Sequence, residues 1–282
     1  MKVVVFGGSG FLGSHVADCL TDNGFEVIIF DMVESLYLKD DQRMVIGDNV
    51  AHQEPLKTIE VNVLGNTNIL DACKISKVKR FIFASSIYVY SDLASFYRSS
   101  KQACELIIED YQKVFGLDYT ILRYGSLYGI RANEFNFIYK IIKQVIEEGK
   151  IIRKGDGEEI RDYINVLDAA RCSVEILTDE FRSQYVMITG TQSTKVKDLL
   201  IMIKEMFHGD IDIEYIPGEN EIHYEITPYS FRPRVAKKFV SNYYYDLGQG
   251  ILDIIYEVYS KSHKNLNNLE VIKDLIGRRD ET

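Results

Sequence analysis

The fold of this chain is decided by residues 2–13, KVVVFGGSGFLG, an apolar run that ends in a glycine-rich turn. An amphipathic helix is predicted over residues 14–20, and a second apolar run, residues 27–30, ends at Asp31. Strand, glycine turn, helix, strand and acidic residue follow one another as in a dinucleotide-binding βαβ unit. The sequence therefore predicts such a unit over residues 2–31.

The glycines of this turn are spaced Gly-x-x-Gly-x-x-Gly, and each has a physical role. Gly7 permits a tight turn, Gly10 lets the backbone approach a pyrophosphate, and Gly13 lets the helix pack close to the strand. The helix N-terminus offers unpaired N–H groups and a partial positive charge to the phosphates. The residues expected to bind the phosphates are Gly7, Ser9, Gly10, Phe11, Leu12 and Gly13.

Asp31 indicates which dinucleotide binds. Its carboxylate can accept hydrogen bonds from both hydroxyls of a ribose, and it would repel a 2′-phosphate. The next residues, Met32, Val33 and Glu34, supply no cation to bind such a phosphate. The sequence therefore favours NAD over NADP.

Composition narrows the classes of function. The 282 residues are 46% hydrophobic and carry a net charge of −9, so nucleic acid and anionic membranes are poor partners. The five histidines form no ligand motif, and no metal site is expected. No apolar run has the length of a transmembrane helix. Four cysteines without Cys-x-x-Cys spacing are expected to be reduced and buried in helices of a cytoplasmic protein, at Cys19, Cys73, Cys104 and Cys172.

The first half of the chain alternates apolar β-type runs, such as residues 80–84 and 119–123, with amphipathic segments. This order predicts an α/β fold, a Rossmann-type doubly wound parallel sheet with helices on both faces. A smaller C-terminal α/β substrate lobe is expected to follow. The predicted helices are residues 56–76, 96–115, 136–148, 166–178 (with Asp168 as its cap) and 195–207. The predicted division is residues 1–125 plus 162–190 for NAD binding, and residues 126–161 plus 191–282 for the substrate.

A candidate catalytic group lies after the strand at residues 80–84. Ser86 stands at the strand tip, and Tyr97 and Lys101 share one face of the predicted helix. A lysine ammonium lowers the pKa of a nearby phenol from about 10, by at most about three units. Such a tyrosine can take a proton from a carbinol while hydride is transferred to NAD. A second Tyr-x-x-x-Lys, at residues 139–143, has no serine-tipped strand before it and is interpreted as chance.

Together these motifs resemble the extended short-chain dehydrogenase/reductases, and among them the NAD-dependent nucleotide-sugar epimerase/dehydratase group. The resemblance extends to about residue 190. It rests on the glycine turn, Asp31, VNVLGN (61–66), the Ser86 strand, the Tyr97–Lys101 pair, LRYGSLYGIR (122–131) and GDGEEIRDYINVLD (155–168). The resemblance implies a homodimer formed through the helices at residues 56–76 and 96–115.

The resemblance also implies the roles of individual residues. Ser86, Tyr97 and Lys101 would be the catalytic trio. The further cofactor contacts would be Asn62, Asp48 at the adenine, and three residues lining the nicotinamide, Ala84, Tyr124 and Gly125. The substrate would be held by Ser86, Ser126, Arg161 and either Arg232 or Arg234.

The chain departs from the family pattern in two ways. Ser126 and Ile130 stand where the family has Asn and Pro, which puts substrate contacts near Ser126 in doubt. Between Asp48 and Asn62 the family has a further βα unit of roughly 25 residues. That strand lies in mid-sheet, and its loss would leave buried ladder groups unpaired at about 1–3 kcal/mol each. We therefore expect that the sequence skips residues at 47–52, with a second skip or a trimmed loop at 91–96.

The residues after Ser86 bear on the reaction. Family dehydratases and decarboxylases have carboxylates there, whereas this chain has Ile87 and Tyr88. The sequence therefore favours an NAD-dependent nucleotide-sugar epimerase, most simply a 4-epimerase. The alternatives are a keto-sugar reductase and a non-catalytic NAD-binding regulatory protein. The sugar, the nucleotide and the pathway stay open.

Overall fold

The computed structural model describes residues 1–46, 55–90, 95–208, 211–217 and 236–262. The helices are α1 (Phe11–Asp22), α2 (Pro55–Ile59), a π-helical turn (Glu60–Leu64), α3 (Gly65–Ile75), α4 (Ser95–Phe115), α5 (Phe137–Glu148), α6 (Val166–Glu175), α7 (Val196–Met206) and α8 (Leu247–Ser262). The strands are β1 (Lys2–Phe6), β2 (Glu26–Asp31), β3 (Arg43–Ile46), β4 (Arg80–Ser86), β5 (Asp118–Tyr124), β6 (Ser126–Tyr128), β7 (Lys150–Lys154), β8 (Ile160–Asn165), β9 (Gln184–Ile188), β10 (Ser193–Lys195), β11 (Asp212–Ile216) and β12 (Lys237–Phe239). Short 3₁₀ turns are Ile87–Tyr90 and Asp179–Phe181.

The strands form two parallel sheets and two smaller ones. The parallel sheets have the orders β1-β2-β3 and β12-β9-β5-β4. A mixed sheet, β10-β8-β6, and a parallel pair, β11-β7, belong to the later part of the chain. The expected α/β class with parallel sheets is therefore confirmed.

Neighbouring residues of β5 explain why helices cover both faces of its sheet. Ile121 packs with Leu70 of α3 and Ile108 of α4, whereas Leu122 packs with Ala169 of α6. Successive side chains of a strand point to opposite faces, so one apolar strand needs cover on both sides. Each fully buried Leu or Ile contributes about 1.5–3 kcal/mol relative to an exposed one.

The two parallel sheets are joined by helix packing. Ala17 and Leu20 of α1 pack with Val27 and Ile29 of β2, and Val174 of α6 packs against the same cluster. Since α6 also covers β5, the α1–α6 contact holds the two sheets beside each other.

The described residues leave β1 and β4 each with one open side. Among these residues β1 pairs only with β2, and β4 pairs only with β5. Val4 and Phe6 of β1 are 46% and 47% exposed. Both strands are edges, because no described strand occupies the place between them. Two apolar parallel edges in one domain are unusual, since edges are normally short, charged or covered.

This arrangement supports the expectation that an internal segment is absent from the sequence. In the protein from its native source we expect an intact mass above 32.5 kDa, the mass of these 282 residues. Trypsin cuts after Arg43 and Lys57, and we expect the peptide of residues 44–57, MVIGDNVAHQEPLK, to be missing from its digest. Detection of that peptide would contradict the expectation whatever the intact mass.

Two predicted helices differ in detail from the observed ones. The helix at residues 56–76 is interrupted by the π-helical turn. The helix at residues 166–178 ends at Glu175, and its cap is Asn165, whose side chain accepts a 2.9 Å hydrogen bond from Leu167 N. Asp168 instead accepts a hydrogen bond from Tyr245 N, so the prediction of Asp168 as the cap is wrong.

Within the described ranges, no helix has both the length and the hydropathy to cross a bilayer. The same residues contain no group of three or more His, Cys, Asp or Glu that could hold a metal ion. The four cysteines are free and lie in helices, and Cys73, Cys104 and Cys172 are buried while Cys19 is half-buried. The predicted tail, residues 263–282, lies outside the described residues.

Candidate active site

The glycine turn after β1 is held tightly against the start of α1. Gly7 has a φ of +74°, which favours glycine, and its N–H donates to Phe30 O at 2.9 Å. Gly10 N donates to Gly7 O at 3.1 Å. A Cβ on Gly13 would lie 2.1 Å from Gly7 O, closer than any real contact. The turn therefore requires glycine at positions 7 and 13, as the sequence predicted.

The N-terminus of α1 fits the phosphates of a dinucleotide. Gly10 is its cap residue and has no side chain to bond the first N–H groups, and the first turn contains no acidic residue. The N–H groups of Phe11, Leu12 and Gly13 lack partners within the helix because the first turn of any helix leaves them free. They form an anion site next to the turn.

Asp31 is fixed beside this turn. Its Oδ2 accepts a hydrogen bond from Ser9 N at 2.8 Å, and its Oδ1 accepts one from Met32 N at 2.7 Å. The Ser9 hydroxyl donates to Val33 O at 2.8 Å. Each carboxylate oxygen still has a lone pair for a ribose hydroxyl. The cradle therefore fits NAD, and its residues would hold the phosphates and the adenine ribose.

The structure brings Ser86, Tyr97 and Lys101 together at the tip of β4. The Ser86 side chain hydrogen-bonds Tyr97. Lys101 Nζ donates to Ala84 O at 2.9 Å and lies 5.7 Å from the centre of the Tyr97 ring. Helix α4 positions both side chains because residues four apart share a face.

The pKa of Tyr97 differs in direction from the sequence prediction. Although Tyr97 is 45% exposed as a residue, desolvation of its phenol raises the pKa above the usual value, and the hydrogen bond with Ser86 opposes the rise. Burial lowers the pKa of Lys101. The ammonium is bonded to Ala84 O, so the expected lowering of the phenol pKa is absent from the protein without cofactor. A bound nicotinamide cation would add the missing positive charge.

Ile87 and Tyr88 follow Ser86 in the chain, and Tyr88 lies beside the Tyr97 ring. The rings of Tyr88 and Tyr97 meet edge to face with centroids 6.4 Å apart. Ile87 is buried in the 3₁₀ turn that follows β4. An aliphatic and an aromatic side chain thus stand where dehydration would need carboxylates.

Asn62 reaches the catalytic helix from the π-helical turn. Its Nδ2 donates to Ser100 Oγ at 3.0 Å, one residue before Lys101. Cys104 Sγ donates to Asn62 O at 3.1 Å. A π-helical turn inserts an extra residue in one helical turn and is frequent at functional sites. The sequence pattern identified Asn62 but gave no signal for the turn.

The other predicted residues take different positions. The Tyr124 hydroxyl is 2.6 Å from Ser173 Oγ, in the core cluster against which Leu12 packs. A Cβ on Gly125 would lie 2.8 Å from Asp162 O, so the two backbones cross closely there. Arg161 is 5% exposed and donates to Ile160 O. Ser126 is half-buried at the start of β6. Asp48, Arg232 and Arg234 lie outside the described residues.

A parallel α/β sheet, a glycine turn with a ribose-binding carboxylate, and a Ser-Tyr-Lys group define a nicotinamide-dependent enzyme of the short-chain dehydrogenase/reductase type. Residues 43–187 match the NAD dependent epimerase/dehydratase family. The chain belongs to this family, and its cofactor is NAD.

Relatives within the family have several activities. A Methanocaldococcus jannaschii protein assigned as a UDP-glucose 4-epimerase is 27% identical over 270 residues, covering 78% of this chain and 88% of that protein. UDP-glucuronic acid decarboxylase 1 of Arabidopsis thaliana is 24% identical over 286 residues, covering 84% of this chain and 64% of that protein. The UDP-glucose 4-epimerase of Thermotoga maritima, solved with UDP-glucose, has a TM-score of 0.78 at 23% identity, covering 93% of this chain and all of that one.

The first of these matches is longer than the part of this chain that it uses. It extends over 270 residues but uses 78% of this chain's 282 residues, which is about 220. About 50 positions of that relative therefore have no counterpart here. This is enough for a βα unit and a loop.

Proposed function

We propose that this chain is a nucleotide-sugar epimerase that inverts C4 by transient oxidation of the carbinol. The observation that carries the proposal is the meeting of Ser86, Tyr97 and Lys101 at the tip of β4, with Ile87 and Tyr88 in place of carboxylates. This group can move a hydroxyl proton, and neither Ile87 nor Tyr88 can serve as the carboxylate that the family's dehydratases and decarboxylases have there. The 4-epimerases among the relatives support the same activity.

In the proposed reaction Tyr97 is the general base. Its phenolate takes the proton of the C4 hydroxyl, and the Ser86 hydroxyl holds the substrate oxygen and the phenol in line. With NAD bound, the positive charges of the nicotinamide and of Lys101 would together stabilise the phenolate. Bound NAD would accept the hydride from C4 and give it back. After the sugar has turned its other face, Tyr97 returns the proton to the C4 oxygen, which closes the cycle without net oxidation.

The activity is tested with the purified protein, NAD and a panel of UDP-, dTDP-, GDP- and CDP-hexoses. We expect inversion at C4 of at least one of them, measured by NMR of the product, without net consumption of the cofactor. Net reduction of the added NAD, with a keto sugar as the product, would instead identify a keto-sugar reductase running in reverse, which must release its cofactor in each turnover. Binding of NAD without any turnover would favour the regulatory protein.

We further infer a homodimer formed through the α2–α3 and α4 helices. Apolar side chains stand exposed on these helices at Leu56, Ile59, Leu64, Leu106 and Val114. A second copy would remove this surface from water, at about 25 cal/mol per Å² of apolar area. The proposal includes a cytoplasmic location, where the free thiols stay reduced.

Leu106→Glu is expected to shift the protein from dimer to monomer, because it places a charge in the proposed interface. Light scattering at micromolar concentration measures the shift. Leu252→Glu on α8 is the matched control, since Leu106 and Leu252 are 49% and 45% exposed. A wild-type monomer, or equal effects of both variants, would contradict the interface.

A further inference from the structure

The catalytic face of α4 continues into the protein interior. Tyr97, Lys101, Glu105 and Glu109 are spaced by four residues and therefore lie on one stripe of the helix. Glu105 is 5% exposed, one turn beyond Lys101. A carboxylate this deeply buried is costly unless it is paired.

The Glu105 carboxylate connects the catalytic helix to two strands. Its Oε1 accepts hydrogen bonds from Ser85 Oγ at 2.6 Å and from Arg123 Nε at 3.0 Å. Its Oε2 accepts one from an Arg123 terminal nitrogen at 2.7 Å. Ser85 and Arg123 are paired across β4 and β5, and the residues that follow them are Ser86 and Tyr124. The connection therefore lies directly below the catalytic site.

Arg123 is itself held on both faces. Its guanidinium carbon lies 4.7 Å from the centre of the Tyr90 ring and 4.5 Å from that of Tyr185. It also donates to the Tyr90 hydroxyl, while the Tyr185 hydroxyl donates to Glu109 Oε1. Bidentate pairing and ring stacking suit arginine and not lysine. The guanidinium is thereby fixed opposite Glu105.

We propose that the Glu105–Arg123 pair is the positioning element of the catalytic helix. It sets the position of α4 along its axis, so that Tyr97 and Lys101 meet Ser86. It also keeps the Glu105 charge on Arg123, so that this carboxylate does not act uncompensated on the Lys101–Tyr97 end of the helix. This inference rests on the proposed function and deepens its site.

The charges of Glu105 and Arg123 act in opposite directions on the ionisation of Tyr97. The Glu105 carboxylate acts on Lys101 from one turn away and favours its charged form. Without Arg123, that carboxylate would be uncompensated and would oppose ionisation of Tyr97. If Glu105 were neutral, the positive charge of Arg123 would favour ionisation of Tyr97. The titratable and charged groups packed around the pair are Lys101, Cys104 and Glu109 on α4, Tyr90 on the 3₁₀ turn and Tyr185 on β9.

The test compares Arg123→Met and Glu105→Gln in the NAD-loaded enzyme. A general base is active above its pKa, so kcat falls on the acid side of that value. We expect the acid limb of the kcat–pH profile to move to higher pH in R123M and to lower pH in E105Q. Both variants should lose about 10²-fold in kcat, as expected for misplaced catalytic groups, with KM changed far less. The double variant, which combines R123M with E105Q, should return the acid limb of the kcat–pH profile towards its wild-type position.

Arg153→Met is the matched control. Arg153 is also largely buried, pairs with Glu159 and lies over the Phe137 ring, but it belongs to β7. We expect R153M to lower Tm about as much as R123M does and to leave the acid limb of the kcat–pH profile unmoved. Shifts of the same sign in R123M and E105Q, or a shift in R153M, would overturn the proposal.

One further measurement applies if R123M does not fold, and another applies if the wild-type protein is inactive. If R123M does not fold, Arg123→Lys keeps the charge, and we expect it to lower kcat without moving the limb. If the wild-type protein epimerises no nucleotide sugar, the proposed function fails. The inference is then tested by ¹³C NMR of tyrosine labelled at Cζ, with the Tyr97 signal assigned from Tyr97→Phe. Opposite shifts of the Tyr97 pKa in the two variants would sustain the positioning role, and unmoved pKa values would end it.

Discussion

Tyr97→Phe is expected to lower kcat for epimerisation by about 10³-fold, within the range of 10²–10⁴ for loss of a general acid–base group. The variant removes the hydroxyl that hydrogen-bonds Ser86, and it keeps the ring that lies near Lys101 and meets Tyr88 edge to face. NAD affinity should stay within about twofold, because the phosphate and ribose contacts lie on the glycine turn and Asp31. Steady-state kinetics and calorimetric titration with NAD measure the two quantities.

The chain provides its own control for this variant. Tyr139 and Lys143 have the same spacing on α5, but Lys143 pairs there with Glu134 and Glu147. Tyr139→Phe should therefore leave kcat unchanged. Equal losses in Y97F and Y139F, or full activity of Y97F, would exclude Tyr97 as the base.

Gly13→Ala is expected to weaken NAD binding by at least about 10²-fold. The added Cβ would lie 2.1 Å from Gly7 O, 2.8 Å from Gly7 C and 2.9 Å from Gly8 Cα. All three atoms are backbone, so no side-chain rotation relieves the clash, and the turn must move away from α1. The phosphate site moves with it. Calorimetric titration with NAD measures the loss, and circular dichroism checks that the helices are retained.

Gly65→Ala is the matched control. Gly65 also stands near the start of a helix, but its Cβ would meet nothing closer than Glu60 O at 3.9 Å. Alanine is favoured over glycine within helices by up to about 1 kcal/mol. We expect G65A to bind NAD normally with a Tm equal to or above that of the wild type. Normal NAD binding by G13A would show that the turn does not form the phosphate site.

The sequence was sufficient for those parts of the site that are set by local rules. The glycine spacing, the apolar run before it and Asp31 predicted the first βαβ unit, because each residue type answers a backbone or charge requirement. The spacing of Tyr97 and Lys101 predicted that they share a face, because helical geometry is fixed. The alternation of strands and helices predicted parallel sheets for the same kind of reason.

Other features depend on contacts between residues far apart in the chain, and no local pattern carries them. The 3.6-residue period predicts an α-helix through Asn62 and cannot show the extra residue of the π-helical turn. The Glu105–Arg123 pair joins α4 to β5 and is visible only when the helix packs on the sheet. The bond of Lys101 to Ala84 O likewise depends on how closely α4 approaches β4. The open edges of β1 and β4 also appear only once the strands are paired.

The fate of the hydrogen at C4 tests the central claim, oxidation and re-reduction at one carbinol, more directly than any variant. A nucleotide sugar that the enzyme epimerises is prepared with deuterium at C4 and turned over in ordinary water. The account predicts that the epimerised product keeps its deuterium at C4, because the hydride returns to the carbon it left. Replacement of that deuterium by solvent hydrogen would contradict the account, because it would mean that the enzyme removes a proton from carbon and not a hydride.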